Sequence, residues 1–335
     1  MIAPLRIVSI GGGTGLSALL SGLKKYTQPF GSAIDVTAIV TVTDDGGSSG
    51  RLRREFEVLP PGDIRNCMVA LSEDEALLSR LFQYRFQNGH GLKGHSFGNL
   101  FLTALTRITG DFREAIRVSS EVLRIAGAIY PATAENIVLE AILENGRRIT
   151  GETHISKSRS PISRIRLHPG KCLPLPDALQ AIAGADLITL GPGSLYTSVI
   201  PNLLVEGMTG AIQRSPAVKA YFVNLMWQPG ETMKYRASDH IRAIYDHSLD
   251  GLLDYAVVNT GSVRPALRRK YASQEVKPVE ADFEALDGLG VEVIAANLLL
   301  ESATVRHNPE AVAAVAIPLA ARGRQRRFKN TRKSR

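Results

Sequence analysis

The chain has 335 residues, of which 44% are hydrophobic and 21% are charged. This balance is typical of a soluble globular protein, and the length suits one large α/β domain. No apolar run reaches the roughly 18 residues of a membrane-spanning helix, and a strand pattern begins directly after residues 1–4. The sequence therefore predicts a cytoplasmic protein without a signal peptide or membrane span, in which Cys67 and Cys172 are free thiols.

The formal net charge of +8 comes from the C-terminal end of the chain. Residues 322–335 contain eight of the 40 basic residues and no acidic residue, which leaves 32 basic and 32 acidic residues in 1–321. A short basic segment of this kind is typical of a disordered tail with modest attraction for polyanions. We therefore predict a disordered tail over 322–335 and no specific nucleic-acid binding.

A glycine cluster follows the first predicted strand. Residues 5–10 form a mostly apolar strand pattern, and residues 16–26 have helical spacing. Between them lie Gly11, Gly12, Gly13, Thr14 and Gly15. Glycine permits a tight turn, and the start of a helix offers free N–H groups and its positive dipole end to an anion. This predicts binding of a nucleotide or another phosphorylated ligand; the alternative is a turn that only packs the helix on the sheet.

The glycine cluster matches neither of two common nucleotide-binding motifs. A dinucleotide-binding fingerprint has a third glycine where Leu16 stands, and an acid about 20 residues further on, whereas Asp44 comes later. A P-loop requires a Gly-Lys-Ser/Thr sequence, which does not follow here. NAD binding by an oxidoreductase is therefore a weaker alternative.

The second predicted strand, residues 35–42, ends in another polar, glycine-rich turn, which contains Asp44 and Asp45. The carboxyl ends of neighbouring parallel strands meet at one crevice, so we expect both turns to face the same ligand. Adjacent carboxylates can hold Mg²⁺ beside phosphates, or one of them can act as a general base or bind a sugar hydroxyl. The alternative is that Asp44 caps the turn and Asp45 is solvated.

A helical and hairpin region over about 60–170 interrupts the alternation of strands and helices. Asp63 and Asp74 are placed to cap two of its helices. Asn99 opens another helix, where its amide is either a ligand contact or a helix cap. Residues 137–153 have the pattern and the Asn-Gly turn of a β-hairpin.

A second glycine turn follows a later buried strand, residues 187–190. It contains Gly191, Gly193 and Ser194. Its N–H groups and hydroxyls suit a second phosphate, and the alternative is again a structural turn. Two such turns in one sheet predict a ligand with a diphosphate, or a nucleotide with a second phosphorylated group.

The alternation of strands and helices predicts an α/β fold. We expect a Rossmann-like, open, mostly parallel sheet with helices on both faces, interrupted by the helical and hairpin region. Strands near 218–223, 255–258 and 291–295 continue the sheet, and a last helix begins at Asn308-Pro309. The prediction is one nucleotide-binding domain over 1–321.

Several longer motifs carry a family resemblance in the correct order. They are residues 11–17, 42–53, 61–66, 95–100, 191–198 and 305–307. Together they resemble the bacterial YvcK family, the gluconeogenesis factors, and more distantly the 2-phospho-L-lactate transferase CofD. Trp227 departs from the pattern, since these regulators usually have a smaller polar residue there.

The resemblance implies a cytoplasmic regulator that binds a UDP-sugar, typically UDP-N-acetylglucosamine. Such a protein affects central carbon use, cell shape and envelope synthesis during gluconeogenic growth, and its partners would include a regulated enzyme or envelope-synthesis protein and a second copy of itself. By the same resemblance Thr14 contacts the diphosphate or sugar, and Tyr271 and Arg306 are ligand contacts. Asp44 matches a site aspartate shared with CofD, whose reaction is assisted by Mg²⁺.

Two functions stay open at this point. One is a UDP-sugar-binding regulator without turnover. The other is a CofD-like transferase that moves a phosphoryl-lactate-type group from a nucleotide diphospho-conjugate to an acceptor, with Asp44 as the catalytic residue. The sequence does not indicate whether uracil or guanine is preferred.

Overall fold

The protein is described from a computed structural model over residues 3–27, 33–73 and 77–333. Within these ranges the strands are β1 (Leu5–Gly11), β2 (Ile34–Val40), β3 (Ala128–Pro131), β4 (Val138–Leu143), β5 (Arg148–Thr150), β6 (Ile162–His168), β7 (Leu187–Leu190), β8 (Val218–Phe222), β9 (Tyr255–Asn259), β10 (Glu292–Ala296), β11 (Leu299–Glu301) and β12 (Val305–His307).

The helices surround these strands, and a π-helical turn over Leu195–Val199 precedes α9. They are α1 (Gly13–Lys24), α2 (Gly47–Phe56), α3 (Gly62–Leu71), α4 (Leu77–Gln83), α5 (Phe97–Thr109), α6 (Phe112–Val122), α7 (Glu152–Ile155), α8 (Pro176–Gly184), α9 (Ile200–Leu203), α10 (Met208–Arg214), α11 (Ala237–Asp246), α12 (Pro265–Ala272), α13 (Phe283–Asp287) and α14 (Pro309–Lys333).

Seven strands form one sheet in the order β10-β9-β8-β7-β1-β2-β3. Every neighbouring pair is parallel. This confirms the predicted α/β fold with a parallel sheet. The strand order reverses direction at β1, because β2 lies on one side of it and β7 on the other. In open α/β sheets, ligands bind at the carboxyl ends of the strands beside such a reversal.

The strand register brings the carboxyl ends of β7, β1 and β2 to one level. Gly11 at the end of β1 pairs with Val40 of β2, and Ile10 pairs with Leu190 of β7. The three turns that follow these strands therefore start side by side. The centre of the sheet is held by buried aliphatic side chains, including Ile7 and Ile10, both fully buried. Residues 7–11 of β1 are all buried, and burial on both faces of the sheet explains why this strand is mostly apolar.

Helix α1 is fixed in place by its apolar side. Leu16, Leu19, Leu20 and Leu23 recur at helical spacing and are fully buried. The helix packs against α3 and α14. This packing holds the N-terminal end of α1 at the carboxyl end of β1.

The predicted helical and hairpin region is not one insertion. Helices α2–α6 lie between β2 and β3, and β3 belongs to the main sheet, where it pairs with β2. The predicted hairpin is present as β4 and β5, and β6 extends it to a three-stranded antiparallel sheet. Asp74, the other predicted helix cap, lies outside the described residues.

The predicted disordered tail differs from the structure, because α14 continues without interruption to Lys333. Its arginines have partners in the folded body. Arg324 donates to the fully buried carboxylate of Asp186 at 2.6 Å, and Arg326 donates to Asp254 at 2.9 Å. These acids lie far away in sequence, so the local composition gave no sign of them.

The two cysteines and the apolar character of the helices complete the description of the fold. Cys67 and Cys172 are both buried and unbridged. Among the described residues, no helix combines the length and apolar character needed to cross a bilayer.

Candidate functional site

The two predicted glycine turns touch each other at the carboxyl ends of β1 and β7. A Cβ atom added to Gly15 would lie 2.5 Å from the carbonyl oxygen of Pro192 and 2.8 Å from the amide nitrogen of Gly193. One added to Gly193 would lie 3.0 Å from the carbonyl oxygen of Gly12. Glycine is therefore required for the backbones to approach this closely.

A cavity of about 200 Å³ opens where the two turns meet. The predicted site residues that line it are Gly12, Gly13, Thr14, Gly15, Gly193, Ser194 and Arg306. Gly11 and Gly191 lie behind this wall, where a Cβ on Gly11 would be 3.7 Å from Cα of Gly191. The structure thus brings together most residues of the two glycine turns around one space.

Thr14 and Arg306 form the polar side of this cavity. Nη1 of Arg306, on β12, donates to Oγ1 of Thr14 at 3.0 Å. No side chain caps α1 at Gly12, and the first turn of α1 contains no acidic residue. The amides of Thr14 and Gly15 have no partner within the helix, because they belong to its first turn. A guanidinium beside uncapped helix amides is an arrangement that suits a phosphate.

The cavity lining also contains a chain of hydrogen bonds that links the predicted Ser194 to Asn224 and Gln228, whose sequence signals are weak. Nδ2 of Asn224 donates to Oε1 of Gln228 at 2.8 Å, and Nε2 of Gln228 donates to Oγ of Ser194 at 2.9 Å. The Ser194 hydroxyl accepts from Gln228, so its own proton is free to point elsewhere. Trp227 also lines the cavity, and its Nε1 donates to the carbonyl of Tyr235 at 2.9 Å.

Tyr271 lies behind β12 rather than in the cavity wall. Its hydroxyl accepts a hydrogen bond from the amide of Val305 at 3.0 Å. Val305 directly precedes Arg306, so Tyr271 holds the strand that carries the guanidinium. Direct contact of Tyr271 with a ligand stays a prediction.

Asp63 lies beneath the first glycine turn, and its predicted role as a helix cap is wrong. Pro61 is the N-cap of α3, and no side chain caps that helix. The Asp63 carboxyl instead accepts from the amide of Gly13, and its Oδ2 lies 2.5 Å from the position of a Cβ on Gly12. Burial and the nearby charge of Asp44 raise the pKa of Asp63 to about 7. The Gly13 amide is thus unavailable to a ligand.

Asp44 and Asp45 point in different directions. Oδ1 of Asp44 accepts from the amide of Gly46 at 2.9 Å, and its Oδ2 lies beside Gly62, on the side of Asp63. Oδ1 of Asp45 accepts from both the amide and the hydroxyl of Thr153, at 2.8 and 2.6 Å. The adjacent aspartates therefore do not converge as a pair, and neither lines the cavity between the glycine turns.

These contacts decide whether Asp44 and Asp45 can bind Mg²⁺ as predicted. Among the described residues, no three His, Cys, Asp or Glu side chains come together in a way that could hold a metal ion. Within the described part of the chain, Asp44 accepts a hydrogen bond only at Oδ1, and Mg²⁺ commonly takes one carboxylate together with phosphate oxygens and water. Asp44 therefore suits Mg²⁺ only beside a bound phosphate, and Asp45 is engaged by Thr153.

Two further carboxyls near the site were not predicted. Glu231 accepts from the amide of Tyr196 at 3.1 Å and from the hydroxyl of Thr197 at 3.0 Å, so it supports the turn after Ser194. Burial raises the pKa of Glu231 to about 7. Burial, with the charges of Asp44 and other acids, raises the pKa of Glu152 well above its ordinary value. Their sequence signal is weak, because isolated glutamates are usually solvated.

Asn99 is placed in the first turn of α5, outside the cavity. It is 2% exposed, and its Nδ2 donates to Oγ of Ser49 at 3.2 Å. Its Oδ1 is buried without a hydrogen-bond partner in the described part of the chain. Ser96, not Asn99, caps α5, since its hydroxyl accepts from the Asn99 amide.

The fold and this site define a class: an α/β protein with a glycine-lined cavity at the strand-order reversal of a parallel sheet. Residues 7–299 match the family model described as 2-phospho-L-lactate transferase CofD. The chain therefore belongs to the CofD family, and within it to the YvcK group of gluconeogenesis factors. The family prediction made from the motifs is confirmed.

Relatives and a solved structure support this placement over nearly the whole chain. The gluconeogenesis factor of Halalkalibacterium halodurans is 49% identical over 91% of this chain and 94% of its own length. That of Bacillus subtilis is 45% identical over 94% of this chain and 98% of its own length. A crystal structure of a Bacillus halodurans protein is similar with a TM-score of 0.90 and 47% identity, over 94% of this chain and 100% of that one.

Proposed function

We propose that the protein binds a UDP-sugar, with UDP-N-acetylglucosamine as the expected ligand, and acts as a regulator without turnover. The regulated processes would be central carbon use, cell shape and envelope synthesis during gluconeogenic growth, in the cytoplasm. The naming of its relatives as gluconeogenesis factors supports the metabolic part of this proposal.

The observation that carries the proposal is the pairing of Thr14 with Arg306 at the junction of the two glycine turns. The guanidinium lies 3.0 Å from the hydroxyl of Thr14, which belongs to the first turn of α1, and no side chain caps that helix. A diphosphate placed there would accept from the guanidinium, the hydroxyl and the backbone amides together. Charge-assisted bonds to a planar guanidinium are among the stronger hydrogen bonds in proteins.

The Ser194 side of the cavity supports a diphosphate over a single phosphate. The Ser194 hydroxyl can donate to a second phosphoryl group, because Gln228 fixes its acceptor side. Trp227 and His307 line the same cavity, and aromatic rings suit a nucleobase.

The test is calorimetric titration with UDP-N-acetylglucosamine, UDP-glucose, GDP and NADH, each with and without Mg²⁺. The proposal expects saturable binding of both UDP-sugars and weaker binding of GDP and NADH. A preference for GDP would favour the transferase described next, and tighter binding of NADH would contradict the proposal.

A second candidate is a CofD-like transferase, and the buried carboxyls are the observation that favours it. Asp63 has a pKa of about 7, close to Asp44, and groups that titrate near neutral pH are suited to proton transfer. In a transferase, Asp44 would accept the proton of an acceptor hydroxyl. Asp44→Asn would then abolish transfer and leave nucleotide affinity intact; a regulator would show no consumption of acceptor by the wild type.

A further inference from the structure

The cavity between the glycine turns is too small for a whole nucleotide sugar. Its volume is about 200 Å³, whereas ligand sites usually span roughly 300–1,000 Å³. A groove of about 670 Å³ adjoins it, and Thr14 and Ala18 line both spaces. We call this second space the α1–α3 groove, since Ser17 and Ser21 of α1 face Arg65 and Asn66 of α3 across it.

The two spaces differ in chemistry, and the difference orients a ligand. Trp227 and His307 line the first cavity, whereas no aromatic ring is among the described residues that line the groove. Stacking surfaces suit a nucleobase, and hydroxyl and amide groups suit a sugar. With the diphosphate at Thr14 and Arg306, the base would lie towards Trp227 and the sugar in the groove.

The groove is cationic. Arg65, Arg85 and Lys24 line it, and none of the described lining residues is acidic. Both guanidiniums are anchored by neutral groups. Arg65 donates to Oγ of Ser96 at 2.7 Å and to Oδ1 of Asn66 at 2.6 Å. Arg85 donates to the carbonyl of Gly94 at 2.6 Å.

These anchors leave charge and donor capacity unused. Nε of Arg65 is buried without a hydrogen-bond partner among the described residues. Burial and the positive charge of Arg85 lower the pKa of Arg65, and the nearby carboxylates of Asp63 and Asp44 act in the opposite direction. Arg65 is therefore partly compensated, and Arg85 is the less compensated of the two cations. Arg85 is exposed and uses only one donor on the carbonyl of Gly94, so its guanidinium keeps donors for an anion in the groove that it lines beside Arg65. A carboxylate matches this fork of donors.

We propose that the α1–α3 groove is the sugar subsite and that it favours nucleotide sugars whose sugar carries a carboxylate. This inference rests on the proposed binding of UDP-sugars and specifies their class. UDP-glucose and UDP-glucuronate are a matched pair for the test, because they differ only in a hydroxymethyl group against a carboxylate.

The experiment is calorimetric titration of the wild-type protein with each of the two ligands at 150 mM salt. We expect UDP-glucuronate to bind about tenfold more tightly, as a charge-assisted pair at a partly open site allows. Arg85→Gln should remove most of this preference, measured as the ratio of the two affinities in the same variant, since the exposed guanidinium of Arg85 is anchored only to a carbonyl.

Arg214→Gln is the control, because Arg214 ends α10 just before β8 and so lies at the opposite edge of the sheet from the glycine turns. It should keep the full preference. Equal affinity of the wild type for both ligands would overturn the inference and leave the proposed function standing. If Arg85→Gln and Arg214→Gln lost the preference for UDP-glucuronate equally, the inference would also be overturned, because the preference would then come from the overall positive charge of the protein and not from the groove. Absence of binding by either ligand would overturn the proposed function itself.

Discussion

Asp63 links the first glycine turn to the neighbouring buried carboxyls, so its replacement by asparagine reports directly on their electrostatics. Asparagine has the same shape and keeps an oxygen that can accept from the Gly13 amide. It cannot ionise. The perturbation therefore removes one charge and little else.

The magnitude follows from the difference between the folded and unfolded pKa values of Asp63. Burial raises the pKa to about 7 in the folded protein, from an ordinary value of 3.8. Each pKa unit corresponds to about 1.4 kcal/mol, so full ionisation costs the folded state at most about 4 kcal/mol. Solvent reaches part of this side chain, so we expect between about 2 and 4 kcal/mol.

The direction of the pH effect on stability depends on whether the folded protein or the unfolded chain binds the proton of Asp63 more tightly. Between about pH 4 and 7 the folded protein keeps the proton of Asp63 and the unfolded chain loses it. The stability contributed by the neutral form is complete below pH 3.8 and is lost as the pH rises through about 7. Asp63→Asn should therefore unfold at nearly the wild-type free energy near pH 4 and be more stable by about 2–4 kcal/mol at pH 8.

Urea unfolding followed by circular dichroism at pH 4, 6 and 8 measures this difference. Asp250→Asn is the matched control, because it makes the same substitution at an exposed position. A difference between Asp63→Asn and wild type that does not grow with pH would refute the reasoning, as would a variant less stable than wild type at pH 8.

Three further predictions concern the site and the last helix. Arg306→Ala should weaken UDP-sugar binding about tenfold or more in calorimetry, because a charged donor is removed from the diphosphate position. Gly15→Ala should abolish that binding and lower the free energy of unfolding by about 1–3 kcal/mol, since its methyl group would collide with the carbonyl of Pro192. Arg324→Ala should cost about 2 kcal/mol in urea unfolding, because it removes the charged donor at 2.6 Å from buried Asp186, which among the described residues keeps only Arg327 and the Arg6 amide.

Each of these substitutions has a control. Arg214→Ala should leave the affinity for UDP-sugar unchanged, since Arg214 lies far from the cavity. Gly288→Ala should change the free energy of unfolding by less than about 0.5 kcal/mol, as its added methyl group would have no neighbour within 3.6 Å. Lys329→Ala, at an exposed position of α14, should be similarly neutral. Effects in these controls as large as in the test variants would contradict the corresponding explanations.

The sheet and its glycine turns could be predicted because their signals are local. A buried parallel strand such as β1 is a short apolar run, and the glycines after it are required by a backbone contact at the same place. The predicted strand Leu187–Leu190 matches β7 in both bounds. Strand β3 was missed because four residues ending in a proline, at the edge of the sheet, give no periodic pattern.

The part of the site that the sequence did not predict depends on contacts between distant segments. Asp63 reads as a helix cap because it follows Pro-Gly at the start of α3, and only the tertiary fold brings its carboxyl to the amide of Gly13. Glu231 meets the turn after Ser194 in the same way, from a loop beyond β8. The order of α14 likewise depends on Asp186, an acid more than a hundred residues earlier in the chain.

A crystal structure of the protein with UDP-N-acetylglucosamine tests most directly whether the adjoining glycine turns grip a diphosphate. We expect phosphoryl oxygens within hydrogen-bond distance of the Thr14 and Gly15 amides and of the Arg306 guanidinium, with the sugar in the α1–α3 groove. Diphosphate density elsewhere on the protein, with the cavity between the turns filled only by solvent, would contradict it.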